Sequence, residues 1–183
     1  SPLQVLMSFA TLANDGKYMK PTIIKDVLDA EGNVIKPFEP KLMWDITTDP
    51  MIDVFDEDNK PTGEKKVVEP WVIDYAKQGM REVVVSGTAA KVMADLEIPS
   101  AGKTGTAEYC DDVAQQKNLC QPEAWPFHAW YVGYAPYDNP EIAVVAFVYN
   151  GGEGASVAAP IVERVLESYF DLKAVDQANA PKE

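Results

Sequence analysis

The apolar run from Ile142 to Tyr149 constrains the fold more than any other stretch of this chain. It is far short of the ~20 residues a membrane span takes. Its β-branched and aromatic residues without a helical period read as a strand. A strand apolar at every position needs cover on both faces. Turn residues bound it, with Pro136-Tyr137-Asp138-Asn139-Pro140 before and Asn150-Gly151-Gly152-Glu153-Gly154 after. His128 to Tyr134 reads as the preceding strand, and the stretch around Lys103 as another. One connection is a loop and the other a tight turn, so the strands pair antiparallel. Pro160 then opens a helix whose buried face is Ile161, Val162, Val165, Leu166, Tyr169 and Phe170. Strand, strand, strand, helix is an α+β arrangement: an antiparallel sheet with helices packed on it.

The front half is read in the same way. Ser1 caps a helix with Pro2 in its first turn, and Leu3, Leu6, Met7 and Ala10 recur at helical spacing until Asn14-Asp15-Gly16. Tyr18 to Leu28 reads as a strand broken at Pro21, followed by a turn at Asp29 to Asn33 and a return at Val34-Ile35, a hairpin. Residues 37–70 are rich in Pro, Asp, Glu and Lys without periodicity, and are expected to be a surface excursion. Pro70 starts a second helix with the stripe Val72, Tyr75, Ala76, Met80 and Val83, read as core, and Ser86-Gly87-Thr88 ends it. Ala89 to Glu97 is short and helical or irregular. Glu108 to Phe127 is a loop kept irregular by Pro122 and Pro126. The acidic, Ala-rich end, 171–183, is expected to be disordered, which leaves one domain over 1–170.

A net charge of −13 argues against nucleic acid or an anionic membrane surface as partner, since both need basic patches. The chain has neither an initiator Met nor a visible signal peptide, and reads as a piece of something longer. Cys110 and Cys120 sit in a loop-like stretch. Three readings stand: a disulfide in an oxidising compartment, a metal site with His128 and Asp111 or Asp112, or two unpaired thiols. The spacing matches no familiar zinc pattern, so neither a metal nor any other cofactor is expected.

The stretch that suggests chemistry is Ala101-Gly102-Lys103-Thr104-Gly105-Thr106-Ala107-Glu108. An ammonium at Lys103 and a hydroxyl at Thr104 suit a carboxylate. On a strand, Lys103 and Gly105 line one face and Thr104 and Thr106 the other. The plainer reading is a solvated strand end. His128 is read as a strand-start histidine with a structural hydrogen bond. The glycines after Asn150 lack the Gly-Lys-[Ser/Thr] end of a phosphate loop.

These motifs resemble, in order, the end of penicillin-binding transpeptidases. The resemblance rests on the Lys103-Thr104-Gly105-Thr106 strand, the His128-Ala129-Trp130-Tyr131-Val132-Gly133-Tyr134-Ala135-Pro136 strand and the Pro140-Glu141-Ile142 start. It also rests on Gly151-Gly152 before the Pro160 helix, and on the Pro2-Leu3-Gln4 helix with Ala10 to Lys17. It runs from Ser1 to about Phe170, outside the excursion, and fits class B enzymes of the penicillin-binding protein 2 kind best. It implies a partial penicillin-binding/serine β-lactamase-like transpeptidase fold, peptidoglycan cross-linking and a role in cell shape. Of the family's signatures, Ser-x-x-Lys, Ser-x-Asn and Lys-[Ser/Thr]-Gly, Ser-x-Asn is missing. Ser-x-x-Lys occurs only formally, as Ser100 to Lys103, running into a strand rather than opening a helix. The nucleophile is therefore expected upstream, in a missing N-terminal half of the same domain.

By the same resemblance, Lys103 and Thr104 bind the carboxylate of a peptidoglycan stem peptide or a β-lactam. Gly105 lets the strand approach, and the Thr106 backbone N–H is one oxyanion donor. The parent is implied to be anchored in the cytoplasmic membrane, to work outside it and to have a glycosyltransferase partner, a location that favours the disulfide. Two of the family's five strands belong to the missing half, so the chain alone is expected to be insoluble or molten. The rival readings are a non-catalytic binding or regulatory module, and a serine β-lactamase or penicillin-sensor relative.

Overall fold

In the computed structural model, which describes residues 1–121 and 124–179, the apolar run is an edge of a three-stranded antiparallel sheet. The chain runs through α1 (Pro2–Ala13), β1 (Lys17–Met19), β2 (Val27–Leu28), β3 (Val34–Lys36), β4 (Leu42–Asp45), β5 (Ile52–Phe55) and β6 (Pro61–Lys66). It continues through α2 (Pro70–Val85), β7 (Ala101–Glu108), α3 (Asp112–Gln116), β8 (Phe127–Ala135), β9 (Ile142–Val148) and α4 (Ala159–Asn179). A π turn, Gly154–Ala158, leads into α4. The main sheet has the order β7-β8-β9, with Lys103 opposite Val132 and Tyr131 opposite Ala146.

Alternation gives this sheet two different faces. Ala129, Tyr131, Ala135 and Ala146 point to one side, where Ala158, Ala159, Val162 and Leu166 of the π turn and α4 close the main core with Val84, Ala89 and Met93. Ala101 and Tyr134 point to the other, against Ala13 and Met80, with Phe9 and Leu12 of α1 beside them. Cover for β9 is incomplete, since Phe147 is 37% exposed. The α1 cap is as expected, with Ser1 and Gln4 bonding reciprocally and Pro2 in the first turn.

Several expectations need correction. The 18–28 strand is two short strands, and β1 pairs with β4, as Lys17 opposite Asp45, rather than running on past Pro21. The β2–β3 hairpin forms as read. The 37–70 excursion holds β4 and the β5–β6 hairpin, strands that its lack of periodicity did not mark. Helix α2 buries Ile73, Met80 and Val84, while Val72 and Tyr75 are 40% and 71% exposed, so its inward stripe is rotated from the one read. In α4 the buried residues are Ala159, Val162 and Leu166, with Ile161 and Val165 exposed. The end expected to be disordered is helical from Asp171 through Asn179, where Leu, Lys and Ala are good helix formers and Lys173 pairs with Glu141; residues 180–183 lie outside the described residues. The 108–127 loop contains α3, capped by Asp111; Pro122 lies outside the described residues.

Candidate active site

Strand β7 carries the Lys-Thr-Gly-Thr stretch along an edge that no other strand pairs among the described residues. Lys103 is exposed and folds its Nζ onto the Thr104 carbonyl at 2.6 Å. Main-chain groups alternate in direction along a strand, so the Thr106 N–H and C=O point the same way as those of Thr104. The side chains alternate as read from the sequence. Thr104 Oγ1 meets Thr88 Oγ1 at 2.8 Å, and Thr106 Oγ1 accepts from the Gly154 N–H at 3.3 Å on the same face.

Glycines with little room let the strand lie close to its neighbours. A Cβ on Gly102 would run into the ring and hydroxyl of the buried Tyr131, and one on Gly105 would stand 3.1 Å from Trp130 Cβ. A Cβ on Gly154 would collide with the Gly105 and Trp130 carbonyls, so the π turn lies directly on the β7–β8 ladder. Burial pushes the Tyr131 phenol well above its ordinary range, and the phenol stays neutral under the strand.

Ser100, the formal partner of Lys103 in Ser-x-x-Lys, is 2% exposed, and its hydroxyl has no hydrogen-bond partner. Its carbonyl accepts from Arg81 Nη1 at 2.6 Å, which ties α2 to the start of β7. A nucleophile needs an adjacent base and access to substrate, and Ser100 has neither. Past the other end of β7, Cys110 and Cys120 are joined as a disulfide with Cα atoms 5.7 Å apart, the first of the three readings. Asp111 caps α3 by accepting from the Ala114 N–H at 2.8 Å, which holds its carboxyl below the ordinary aspartate value, and Tyr149 also donates to it. His128 stacks on Tyr109 with ring centroids 3.7 Å apart, and its Nδ1 accepts from the Asn150 N–H at 3.2 Å. Among the described residues no group of three or more His, Cys, Asp or Glu is placed to hold a metal ion.

The model of the penicillin-binding protein transpeptidase domain matches residues 1–167. The chain belongs to that family. It is 34% identical over 188 residues to the peptidoglycan D,D-transpeptidase MrdA of Haemophilus influenzae, covering 99% of this chain and 26% of that protein. Among solved structures it resembles penicillin-binding protein A of Mycobacterium tuberculosis as an imipenem acyl-enzyme complex. There the identity is 26% and the TM-score 0.64, over 92% of this chain and 30% of that one. It also resembles a chain of a peptidoglycan synthase complex that coordinates polymerization and crosslinking, at 31% identity and TM-score 0.62, over 93% of this chain and 23% of that one. The chain thus spans about a quarter of the length of the curated relatives it matches, 26% and 22% for two of them. The antiparallel sheet with helices packed on it is the fold of these transpeptidase domains.

Thr88 and Gly154 are the site residues that the sequence reading passed over. Ser86-Gly87-Thr88 was legible as a helix end and Gly154 as part of a turn. Nothing local marks either as a neighbour of β7, because their contacts reach 16 and 48 residues along the chain.

Proposed function

We propose that residues 1–170 are the C-terminal part of the transpeptidase domain of a peptidoglycan D,D-transpeptidase that cross-links the cell wall and forms acyl adducts with β-lactams. The observation that carries this reading is the free edge of β7, where an exposed Lys103 folds its Nζ onto the Thr104 carbonyl and the Thr106 N–H is aimed like the main chain of Thr104. Lys103 and Thr104 hold the terminal carboxylate of the stem peptide or of a β-lactam. Gly105 keeps the strand bare where the ligand lies along it. The Thr106 N–H donates to the carbonyl oxygen as it gains charge in the tetrahedral intermediate, a contribution typically worth about 2.7–4 kcal/mol.

The nucleophilic serine, its lysine and the Ser-x-Asn group come from the preceding part of the same domain. That part also covers what lies open here, the groove of about 530 Å³ lined by Leu3, Met7, Tyr18 and Ile46, and the exposed Phe147. No helix among the described residues is long and apolar enough to cross a membrane. We place the site outside the cytoplasmic membrane, on a protein anchored by a helix elsewhere in its sequence and working with a glycosyltransferase. The Cys110–Cys120 disulfide fits an oxidising compartment.

The test is acylation of the full-length protein by benzylpenicillin, followed by intact mass. Wild type gains one adduct. Lys103→Met lowers the second-order acylation constant about 10- to 100-fold, the loss of a charged hydrogen-bond partner for the carboxylate. A variant that acylates at the wild-type rate would remove Lys103 from the grip.

A further inference from the structure

We propose that Thr88 is a positioning residue whose hydroxyl donates to Thr104 and so turns the single Thr104 proton toward the bound carboxylate. This rests on the reading of β7 given above. The two Oγ1 atoms are 2.8 Å apart, a hydrogen bond in which either oxygen can be the donor. A hydroxyl has one proton and two acceptor lone pairs, whereas an ionised carboxylate only accepts. If Thr104 grips a carboxylate, its proton is committed to the ligand. Thr88 must then be the donor within the pair, because two oxygens facing each other without a proton between them repel. The Thr88 bond therefore selects the one Thr104 rotamer and proton direction that serve the ligand.

The scaffold fixes Thr88 from both sides. The Ser86 and Gly87 N–H groups both donate to the Glu82 carbonyl, at 3.0 and 2.8 Å, closing the end of α2. A Cβ on Gly87 would stand 2.8 Å from Val83 Cα, so the chain turns there without room for a side chain. On the other side Ala89 is fully buried in the main core, and its N–H donates to the Val83 carbonyl at 3.0 Å. Thr88 thus sits between a helix cap and a core plug. Helix α2 is itself tied to the approach of β7 by Arg81 and Ser100. Thr88 remains exposed. Rigid support of this kind is what a group needs to hold another side chain in a productive geometry.

The experiment compares Thr88→Val and Thr88→Ser with wild type in the full-length protein, using benzylpenicillin and its methyl ester as probes. Valine keeps the shape of threonine and loses the hydroxyl, while serine keeps the hydroxyl. Thr88→Val is expected to slow acylation by benzylpenicillin about tenfold and to leave the ester, which has no carboxylate to hold, within about twofold of wild type. Thr88→Ser stays within about twofold for both. Equal slowing of both probes by Thr88→Val would mean a merely structural role and overturn the proposal. So would an unchanged rate with benzylpenicillin, or a Thr88→Ser variant as slow as Thr88→Val. A wild-type protein that neither probe acylates would overturn the transpeptidase reading itself; normal wild-type acylation with an insensitive Thr88→Val would overturn only the role of Thr88.

Discussion

Substituting Gly154 by alanine tests how the π turn supports β7. The added Cβ would meet the carbonyl oxygens of Gly105 and Trp130, and the Gly105 nitrogen at 3.0 Å, all of them backbone atoms of a paired ladder. No side chain can swing aside, so the turn must lift by roughly 1 Å to restore contact distance in a close-packed interior. Lifting it withdraws the fully buried Ala158 and Ala159 from the core and stretches the 3.3 Å bond from Gly154 to Thr106. Overpacking of this kind costs about 1–3 kcal/mol. For a cooperative unit of 150–250 residues that lowers Tm by about 2–4 °C per kcal/mol. A shift near 1 Å in a reacting group can also slow chemistry about 100-fold. Thermal unfolding and benzylpenicillin acylation of the full-length protein read both effects. Gly152→Ala is the control. Gly152 has φ +80 and nothing within 4 Å of an added Cβ, so alanine there adds no clash and carries only the conformational cost, about 1–2 kcal/mol. The expected result is slower acylation in Gly154→Ala and an unchanged rate in Gly152→Ala. If the two variants acylate alike, the seating of the turn on β7 is refuted.

Two further predictions concern the loop after β7. Replacing Cys110 and Cys120 by alanine removes a cross-link between residues separated by 10 in sequence, and chain entropy puts the loss at roughly 2–3 kcal/mol, readable by denaturant titration; a loss below about 0.5 kcal/mol would mean that the loop is held by its other contacts alone. The Asp111 carboxyl is held low chiefly by the Ala114 N–H. A group lowered in the folded state stabilises above its ordinary pKa, and that contribution fades as pH falls through the lower, folded value. Hydrogen exchange in α3 should therefore accelerate as pH drops below about 4, once corrected for the intrinsic pH dependence of exchange, and Asp111→Asn should remove the pH response. An identical response in Asp111→Asn would assign it to another group.

What was legible in the sequence follows the range of the interactions. The β8–β9 pair is local, joined by Pro136 to Pro140, and its apolar pattern and turn residues identify it directly. The Lys103 strand and the face alternation of Thr104 and Thr106 follow from period two alone. The β1–β4 pair was not legible, because strands of three and four residues joined across more than 20 residues carry too little pattern. The stripe of α2 was misplaced because Trp71, Val72 and Tyr75 are apolar yet face outward, so composition could not tell the inner face from the outer one. The last helix runs past Asp171 because an acidic, alanine-rich end has good helix propensity as well as a tail-like composition. At the site, the Lys103-Thr104-Gly105-Thr106 stretch is a short local motif and is legible as such. Its supports, Thr88 and Gly154, come from separate turns that only the folded chain brings to β7.

The structure of the benzylpenicillin adduct of the full-length protein tests the central claim most directly. The penicillin carboxylate is expected against Lys103 Nζ and Thr104 Oγ1, with the acyl carbonyl oxygen about 2.7–3.1 Å from the Thr106 nitrogen. An adduct whose carboxylate points away from β7, with the Thr106 N–H bonded elsewhere, would contradict it.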